Sequence, residues 1–356
     1  MNTKLIRTRR FLFNLGSFLF RNIGFILLGI LLMGLIILTL KAKSLLQEAG
    51  LSALSPLAFF KPPESILENT SGRTNFMILG IRGKGADSPD LTDTMLIVSY
   101  SHKDKTSALI SVPRDLWVNS LKTKINSVYH YGQIKDPNRG GIKLTQSAIL
   151  ETLGLPIHYT AVVDFSLFQQ AISLVGGVDV SVERSFTDTK FPIEGRENAL
   201  PVESRYETIS FEKGVVHMDG KTALKFVRSR QAEGEEGTDI ARDRRQQLVI
   251  SALKQKIVNP KFLLNRKSLI SLYKLIMDNT DTNIDKKIYP SLVRLAFDSY
   301  GKPTKEIILS YEPDETGVAI LENPPTSKTY QNLWVLIARD NNWKALQQYI
   351  QNKLVE

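Results

Sequence analysis

Short apolar runs alternate with helical patterns from residue 74 onward. The runs at 75–79, 95–100 and 106–112 have the length and composition of buried strands. Further periodicities predict helices at 141–153 and 165–175 and strands at 157–163 and 178–182. Strands that alternate with helices in this way favour an α/β fold, in which helices cover a sheet.

The second half of the chain is predicted to contain more helix than strand. Residues 184–210 are polar with scattered Gly and Pro, which predicts an excursion or a hairpin and not a part of the core. Residues 223–230 alternate as a strand does. After a Gly- and Glu-rich loop, Thr238 or Asp239 is the predicted N-cap of a helix that ends near Val258. The remaining predicted elements are a mostly helical stretch to Tyr300, a strand at 332–338 and a helix that starts near Asn341 or Asn342.

An uncharged apolar run of eighteen residues lies at 23–40, between Arg21 and Lys41. At about 1.5 Å rise per residue, a helix of this length is just long enough to cross a hydrocarbon core. Five basic residues precede the run and two follow it, which favours a cytoplasmic N-terminus and a body outside the membrane. A cleaved signal peptide is the alternative, although no small-x-small cleavage site follows closely. The predicted organisation is a cytoplasmic N-terminus at 1–22, a transmembrane helix at 23–40, a stalk at 41–73 and an extracytoplasmic domain at 74–354.

Charge and composition narrow the class of function. The net charge is +10, and the first 43 residues supply +7 of it because they hold seven basic residues and no acid. The body is therefore nearly neutral, so we expect no nucleic-acid partner, which would require a basic stripe on the folded part. The chain has no cysteine, which excludes disulfides, thiol nucleophiles and cysteine-ligated metals. Its four histidines lack the spacing of a zinc site.

Five arginines fall within eighteen residues of the second half of the chain. If their first segment is a strand, Arg228 and Arg230 project from the same face. On the helix that follows, Arg242, Arg245 and Gln246 share one side. Three or four guanidiniums could then meet in one volume, an arrangement that suits a diphosphate because each offers a planar fork of donors. The alternative is a solvated, salt-bridged helix face, which explains the first two arginines less well.

Other charged residues lie next to the predicted strands. Asp93 comes just before the second apolar run, and Arg114 and Asp115 follow the third, with Lys124 in the next loop. Loops at strand ends are where α/β folds place functional residues. Each residue alone also fits a turn, an ion pair or a solvated side chain. Together with the arginines they form a set of several cations with a few carboxylates.

Taken in order, these motifs resemble the LytR-CpsA-Psr family of cell-wall glycopolymer ligases. The resemblance covers about residues 74–354. The matching segments are NFMILG (75–80), LTDTMLIVSY (91–100), ISVPRDLWV (110–118), KINSVYHYG (124–132), GLPIHYTAVVDFSLF (154–168), LVGGVDVSV (174–182), MDGKTALKFVRSR (218–230), TDIARDRRQQ (238–247) and WVLIARDNNW (334–343).

The resemblance implies a single-pass cell-membrane protein with an extracytoplasmic three-layer α/β/α sandwich built on a central mixed sheet. The implied activity is a phosphotransferase that moves a glycopolymer from a polyprenyl-diphosphate carrier to peptidoglycan and releases polyprenyl phosphate. Two alternatives stay open. One is a pyrophosphatase acting on the same donor, and the other is a non-enzymatic, membrane-tethered binder or regulator of the lipid carrier.

The resemblance also implies roles for single residues. Asp93 is expected to ligate Mg²⁺, with Mn²⁺ as the alternative, at the diphosphate. The chain departs from the family at two positions. It has Arg82 where an acid is common in the family, and Leu91 where an arginine is common. Asp87 and Asp90 are the candidates for the missing ligand, and Arg82 and Lys84 are the candidates for the missing cation. The predicted catalytic residues are Asp93, Arg114, Arg228 and Arg230, and the predicted substrate-binding residues are Arg114, Asp115, Lys124, Arg228, Arg230, Asp239, Arg242, Arg245 and Gln246.

Overall fold

The computed structural model describes Ser44, Gln47 and residues 61–83, 88–196, 198–257, 259–313, 317 and 319–355. The predicted transmembrane helix at 23–40 and most of the predicted stalk lie outside the described residues. No helix within the described ranges is long and apolar enough to cross a membrane. Ser44 and Gln47 apart, the described residues belong to one compact unit that starts at Phe59.

The described residues contain both strands and helices, as the hydrophobic pattern predicted. The strands there are β1 (Arg73–Ile81), β2 (Thr92–Ser101), β3 (Ser107–Ser111), β4 (Trp117–Val118), β5 (Thr123–Lys124), β6 (Tyr159–Asp164), β7 (Val178–Val182), β8 (Phe186–Pro192), β9 (Tyr206–Phe211), β10 (Gly214–Met218), β11 (Asp281–Thr282), β12 (Thr304–Ile308), β13 (Leu321–Glu322) and β14 (Ile337–Ala338). The α-helices there are α1 (Val128–Lys135), α2 (Gly140–Leu153), α3 (Phe165–Leu174), α4 (Gly220–Arg228), α5 (Asp239–Ile257), α6 (Pro260–Leu264), α7 (Arg266–Asn279), α8 (Tyr289–Asp298) and α9 (Trp343–Val355).

A six-stranded mixed sheet forms the centre of this unit. Its order is β11-β6-β1-β2-β3-β12. The three central strands β1, β2 and β3 form an antiparallel meander, and β6 and β12 join it in parallel on its two sides. The predicted mixed α/β fold is therefore confirmed, including the three apolar runs that begin it.

The two faces of the sheet pack against different helices, because successive side chains of a strand point to opposite faces. On one face, Leu79 of β1 lies in a core with Ile149 of α2 and Leu346 of α9. On the other face, Phe76 packs against a smaller core that includes Leu295 of α8. Full burial of such a side chain contributes about 1.5–3 kcal/mol relative to exposure.

A second core holds the elements that build the site. It contains residues of β7 to β10 and of α3, α4 and α5. At its centre, the ring of Phe226 lies 5.0 Å from that of Phe211 and 6.0 Å from that of Phe186, measured between ring centroids. Strands β8 and β9 pair as an antiparallel hairpin, which confirms the predicted hairpin within 184–210. The expectation that this segment lies outside the core was wrong, because Phe186, Phe191 and Ile209 are buried in the second core.

The segment that was predicted as a strand at 223–230 is a helix, and that prediction was wrong. The side chain of Asp219 accepts a hydrogen bond from the Thr222 N–H at 2.7 Å and so caps the start of α4. Ala223 and Val227 are both buried, at helical spacing, against the second core. Helix α4 then ends at Arg228, so Arg228 and Arg230 do not share the face of a strand.

Two other segments differ from their predictions. The strand predicted at 332–338 is reduced to Ile337–Ala338, which pairs with β13. No element was predicted between 301 and 331, yet β12 forms there and pairs with β3. Closer to the start, Leu67 lies within the predicted stalk but is only 3% exposed and packs with Tyr100.

Candidate functional site

A cavity of about 340 Å³ brings many of the predicted site residues together. Its lining combines five cationic side chains with the carboxylate of Asp93 and with apolar groups. The lining residues are Arg82, Asp93, Thr94, Phe165, Lys190, Pro192, Tyr206, Val227, Arg228, Arg230, Gln231, Arg242 and Gln246.

Arg228 and Arg230 reach this cavity from the end of α4. The guanidinium of Arg228 lies over the ring of Phe165, 4.5 Å from its centroid, and 5.6 Å from the centroid of Phe191. Such cation–π contacts hold a guanidinium in place. Arg230 follows two residues later, where the chain has become extended after Ser229. The end of a helix thus positions the two arginines that were predicted to lie on a strand.

A buried carboxylate, Asp188 on β8, fixes the segment that carries these arginines. Its side chain is fully buried. Its Oδ2 accepts hydrogen bonds from the Ser229 hydroxyl at 2.7 Å, from the Arg230 N–H at 3.2 Å and from the Gln231 N–H at 3.1 Å. Its Oδ1 accepts one from the Lys190 N–H at 3.0 Å. Asp188 was not predicted as a site residue, because nothing in its polar hairpin distinguishes it from a solvated aspartate.

Helix α5 supplies the other half of the cavity wall. Thr238 caps it, since its hydroxyl accepts a hydrogen bond from the Ala241 N–H at 3.2 Å, which confirms the predicted start. Arg242 and Gln246, one turn apart, both line the cavity and are both buried. Asp239 opens the helix, and its side chain lies outside the described part of the chain.

Arg245 was predicted to bind substrate with the other arginines, but the structure does not place its side chain with theirs. It is absent from the cavity lining, and its side chain is 3% exposed. Its guanidinium donates to the backbone carbonyls of Phe226 at 3.1 Å and Ser229 at 2.7 Å, and to the Glu236 carboxylate at 2.8 Å. It therefore satisfies the carbonyls at the end of α4 and holds that helix against α5.

Asp93 forms the centre of a chain of ion pairs at one side of the cavity. Its Oδ2 accepts a hydrogen bond from Arg82 Nε at 2.9 Å, and its Oδ1 accepts one from Arg114 Nη1 at 2.5 Å. Behind them, Asp115 lies between Arg114, at 3.4 Å, and Lys124, at 2.7 Å. Arg114, Asp115 and Lys124 thus support Asp93 from outside the cavity lining.

The electrostatics of Asp93 follow from these neighbours. Burial alone would raise the pKa of its carboxyl. The hydrogen bonds and positive charges of Arg82 and Arg114 outweigh that effect and hold the pKa below its ordinary value. Asp93 is therefore a carboxylate at neutral pH, and its charge is balanced by guanidiniums.

The described carboxylates do not fit the expected Mg²⁺ or Mn²⁺. Both oxygens of Asp93 already accept hydrogen bonds from arginines. Asp90 lies 3.6 Å from His130 and is part of no group of three potential ligands among the described residues. Asp87 and Lys84 lie outside the described residues. Mg²⁺ usually binds through one or two carboxylates together with waters and phosphates, and the guanidiniums already occupy both oxygens of Asp93.

The predicted family is confirmed by comparison with known proteins. Residues 47–348 match the LytR_cpsA_psr family. The polyisoprenyl-teichoic acid–peptidoglycan teichoic acid transferase TagV of Bacillus subtilis (strain 168) is 27% identical over 277 residues, which cover 72% of this chain and 62% of TagV. The regulatory protein MsrR of Staphylococcus aureus (strain Mu50) is 31% identical over 53% of this chain and 50% of MsrR. The chain thus spans less than two thirds of the length of either relative.

A solved structure shows the same fold. The crystal structure of B. subtilis TagV superposes with a TM-score of 0.55, at 23% identity, over 80% of this chain and 98% of that one. A family match that extends from residue 47 to residue 348 covers most of the sequence. This chain therefore belongs to the LytR_cpsA_psr family.

Proposed function

We propose that this chain is a phosphotransferase that moves a glycopolymer from a polyprenyl-diphosphate carrier to peptidoglycan and releases polyprenyl phosphate. The observation that carries the proposal is the convergence of Arg228, Arg230 and Arg242 with Gln246 on one cavity. A dianionic diphosphate suits such a cavity, because a guanidinium fork can bind two phosphate oxygens at once. The name of the TagV relative supports the substrate class, since it describes transfer of a polyisoprenyl-linked polymer to peptidoglycan.

In the proposed reaction, an acceptor hydroxyl of peptidoglycan attacks the phosphorus that carries the glycopolymer. A new P–O bond forms while the bond to the carrier phosphate breaks, and the hydroxyl proton leaves with that phosphate. Phosphoryl transfer depends mainly on positioning and charge stabilisation, and guanidiniums supply both. Arg228, held over Phe165, and Arg242, buried in α5, are already oriented before the donor binds.

The proposal includes a location at the cell membrane. The domain lies outside the cytoplasm as an α/β/α sandwich, and a single span at 23–40 anchors it with the N-terminus inside. Anchoring suits the reaction, because the lipid carrier and the peptidoglycan acceptor both lie at the outer side of the same membrane. An alkaline phosphatase fusion at the C-terminus tests this arrangement, and an inactive fusion would contradict it.

The activity test uses the full chain in detergent and a polyprenyl-diphosphate-linked sugar, with released polyprenyl phosphate measured by mass spectrometry. We expect Arg228→Ala and Arg230→Ala each to reduce release by about 100-fold, the scale of losing one charge-stabilising donor. Arg244→Ala is the matched control, since Arg244 lies on α5 outside the cavity lining, 3.7 Å from Glu183. Full release by the Arg228 and Arg230 variants would overturn the proposal.

Adding peptidoglycan separates transfer from hydrolysis. Polymer that becomes attached to peptidoglycan identifies the transferase. Polymer phosphate that stays in solution would instead identify water as the acceptor, and hence a pyrophosphatase. A chain that retains the lipid and releases nothing would be a carrier binder.

A further inference from the structure

We infer that Arg82, together with Arg114, takes the place of a divalent metal ion beside Asp93, so that cleavage of the diphosphate at this site needs no bound metal. The inference rests on the proposed function and assigns a catalytic role to Arg82. It begins from the contacts of Asp93, whose two oxygens are bonded to two different guanidiniums.

The position of Arg82 places its charge at the substrate. Arg82 lines the cavity together with Arg228 and Arg242, and its side chain is 41% exposed. It uses Nε for Asp93. A guanidinium carries five N–H donors, so the Nη groups remain for phosphate oxygens. Arg82 can thus bind the diphosphate while Asp93 holds it in place.

Arg114 completes the arrangement from behind. It bonds the other oxygen of Asp93 and also contacts Asp115, which is held in turn by Lys124. Two carboxylates and three cations therefore form one continuous chain of ion pairs. A metal ion that approached Asp93 would meet the positive charge of Arg82 and Arg114 at close range, and this repulsion opposes its binding.

The pairing of β1 with β2 explains how Arg82 comes to this place. Ile81 pairs with Thr92 after a register shift at Gly80. Arg82 therefore follows the end of β1 across from Leu91. The chain lacks an arginine at position 91 and provides one at position 82, at the same end of the same strand pair.

The chemistry is complete without a metal. The acceptor oxygen bonds to phosphorus, the bond to the carrier phosphate breaks, and the proton leaves with that phosphate. Arginine is an established stabiliser of charge in phosphoryl transfer, where it acts on the same oxygens that a metal ion would polarise. No oxidant, reductant or further reactant is required.

The test combines metal binding with activity on the full chain in detergent. Mn²⁺ binding is measured by electron paramagnetic resonance titration, and polyprenyl phosphate release is measured in EDTA and in Mg²⁺. We expect no stoichiometric Mn²⁺ binding by the wild-type chain, and release in EDTA within about twofold of that in Mg²⁺. Arg82→Glu is expected to gain Mn²⁺ binding and to lose release by more than about tenfold in EDTA.

Two further variants serve as controls for this experiment. Arg82→Gln keeps a donor to Asp93 without the charge, and we expect it to lose release by about tenfold even where Arg82→Glu fails to fold. Arg196→Glu is the control for the charge change, because Arg196 is exposed and outside the cavity lining. It is expected to behave as the wild type does.

One equivalent of Mn²⁺ bound by the wild-type chain and lost in Asp93→Asn would overturn the inference. So would release that stops in EDTA and returns with Mg²⁺, an outcome that leaves the proposed transferase intact. If no condition gives release, the proposed function fails, and the Mn²⁺ titration of the wild-type chain and of Arg82→Glu still decides whether Arg82 holds the place of the metal.

Discussion

Asp188→Asn tests whether one buried carboxylate positions the arginines of the cavity. Three donors, the Ser229 hydroxyl and the N–H groups of Arg230 and Gln231, share its Oδ2. A hydrogen bond to a charged acceptor contributes about 1.5–3 kcal/mol, against about 0.5–1.5 kcal/mol for a neutral one. Each of the three bonds therefore loses about 1–1.5 kcal/mol, or about 3–4.5 kcal/mol together, and relief from burying a charge returns part of this. We expect the free energy of unfolding to fall by about 1–3 kcal/mol.

The assay compares thermal unfolding and ligand binding of Asp188→Asn with those of the wild type. At roughly 2 °C per kcal/mol for a domain of this size, the midpoint should fall by about 2–6 °C. The affinity for a short prenyl diphosphate, measured by calorimetry, should weaken by about tenfold, since Arg230 loses its fixed backbone. Asp179→Asn is the control, because Asp179 is exposed and paired only at the surface with His217 and Lys256. An unchanged midpoint together with unchanged diphosphate affinity would refute this role for Asp188.

Three further predictions concern the supports of the site and the fold. Arg245→Lys should lower the free energy of unfolding by about 2–4 kcal/mol, because an ammonium group cannot donate hydrogen bonds to both carbonyls that the guanidinium bridges. A urea midpoint equal to that of the wild type would contradict this. Gly132→Ala should lower the free energy of unfolding by about 1–3 kcal/mol, since the added Cβ would lie 2.4 Å from the carbonyl oxygen of Gly140. A thermal midpoint equal to that of the wild type would contradict this and show that α1 and α2 can separate freely. Burial lowers the pKa of His158, whose Nδ1 accepts a hydrogen bond from the Asn75 N–H. As the pH falls, the unfolded chain therefore takes up a proton at His158 before the folded chain does. The free energy of unfolding should then decrease below about pH 6.5. His158→Gln should reduce the difference in midpoint between pH 7.5 and pH 5.5, and an equal difference in both proteins would contradict the assignment.

Much of the sheet could be predicted because its strands are apolar on both faces. The runs that became β1, β2 and β3 are distinct in any window of the sequence. Strand β12 was missed because only part of Thr304–Ile308 is apolar and its burial depends on pairing with β3. The helix at Gly220–Arg228 was predicted as a strand because short segments satisfy both periodicities, and the capping by Asp219 decides between them.

The charged residues that line the cavity could be predicted from the sequence, but the residues that hold them in position could not. Arg228, Arg230, Arg242 and Gln246 were grouped by spacing, and the fold brings them together. Helical spacing also grouped Arg245 with them, yet that side chain turns to the carbonyls of a helix that had been predicted as a strand. Asp188 positions the arginine segment only because a hairpin packs against a turn that is distant in sequence, and no local sequence pattern predicts that contact.

The strand order has a consequence for how the chain folds as it is made. The central meander of β1, β2 and β3 comes from early in the described sequence, whereas both edge strands of the sheet come from its last part. Contacts between residues distant in sequence slow folding, and the pairing of Ser107 with Thr304 is of this kind. Until β12 arrives, β3 presents an open edge that can pair with other chains. A nascent chain stopped before Thr304 therefore carries a hydrophobic sheet with an uncovered side, a form open to aggregation and to capture by chaperones.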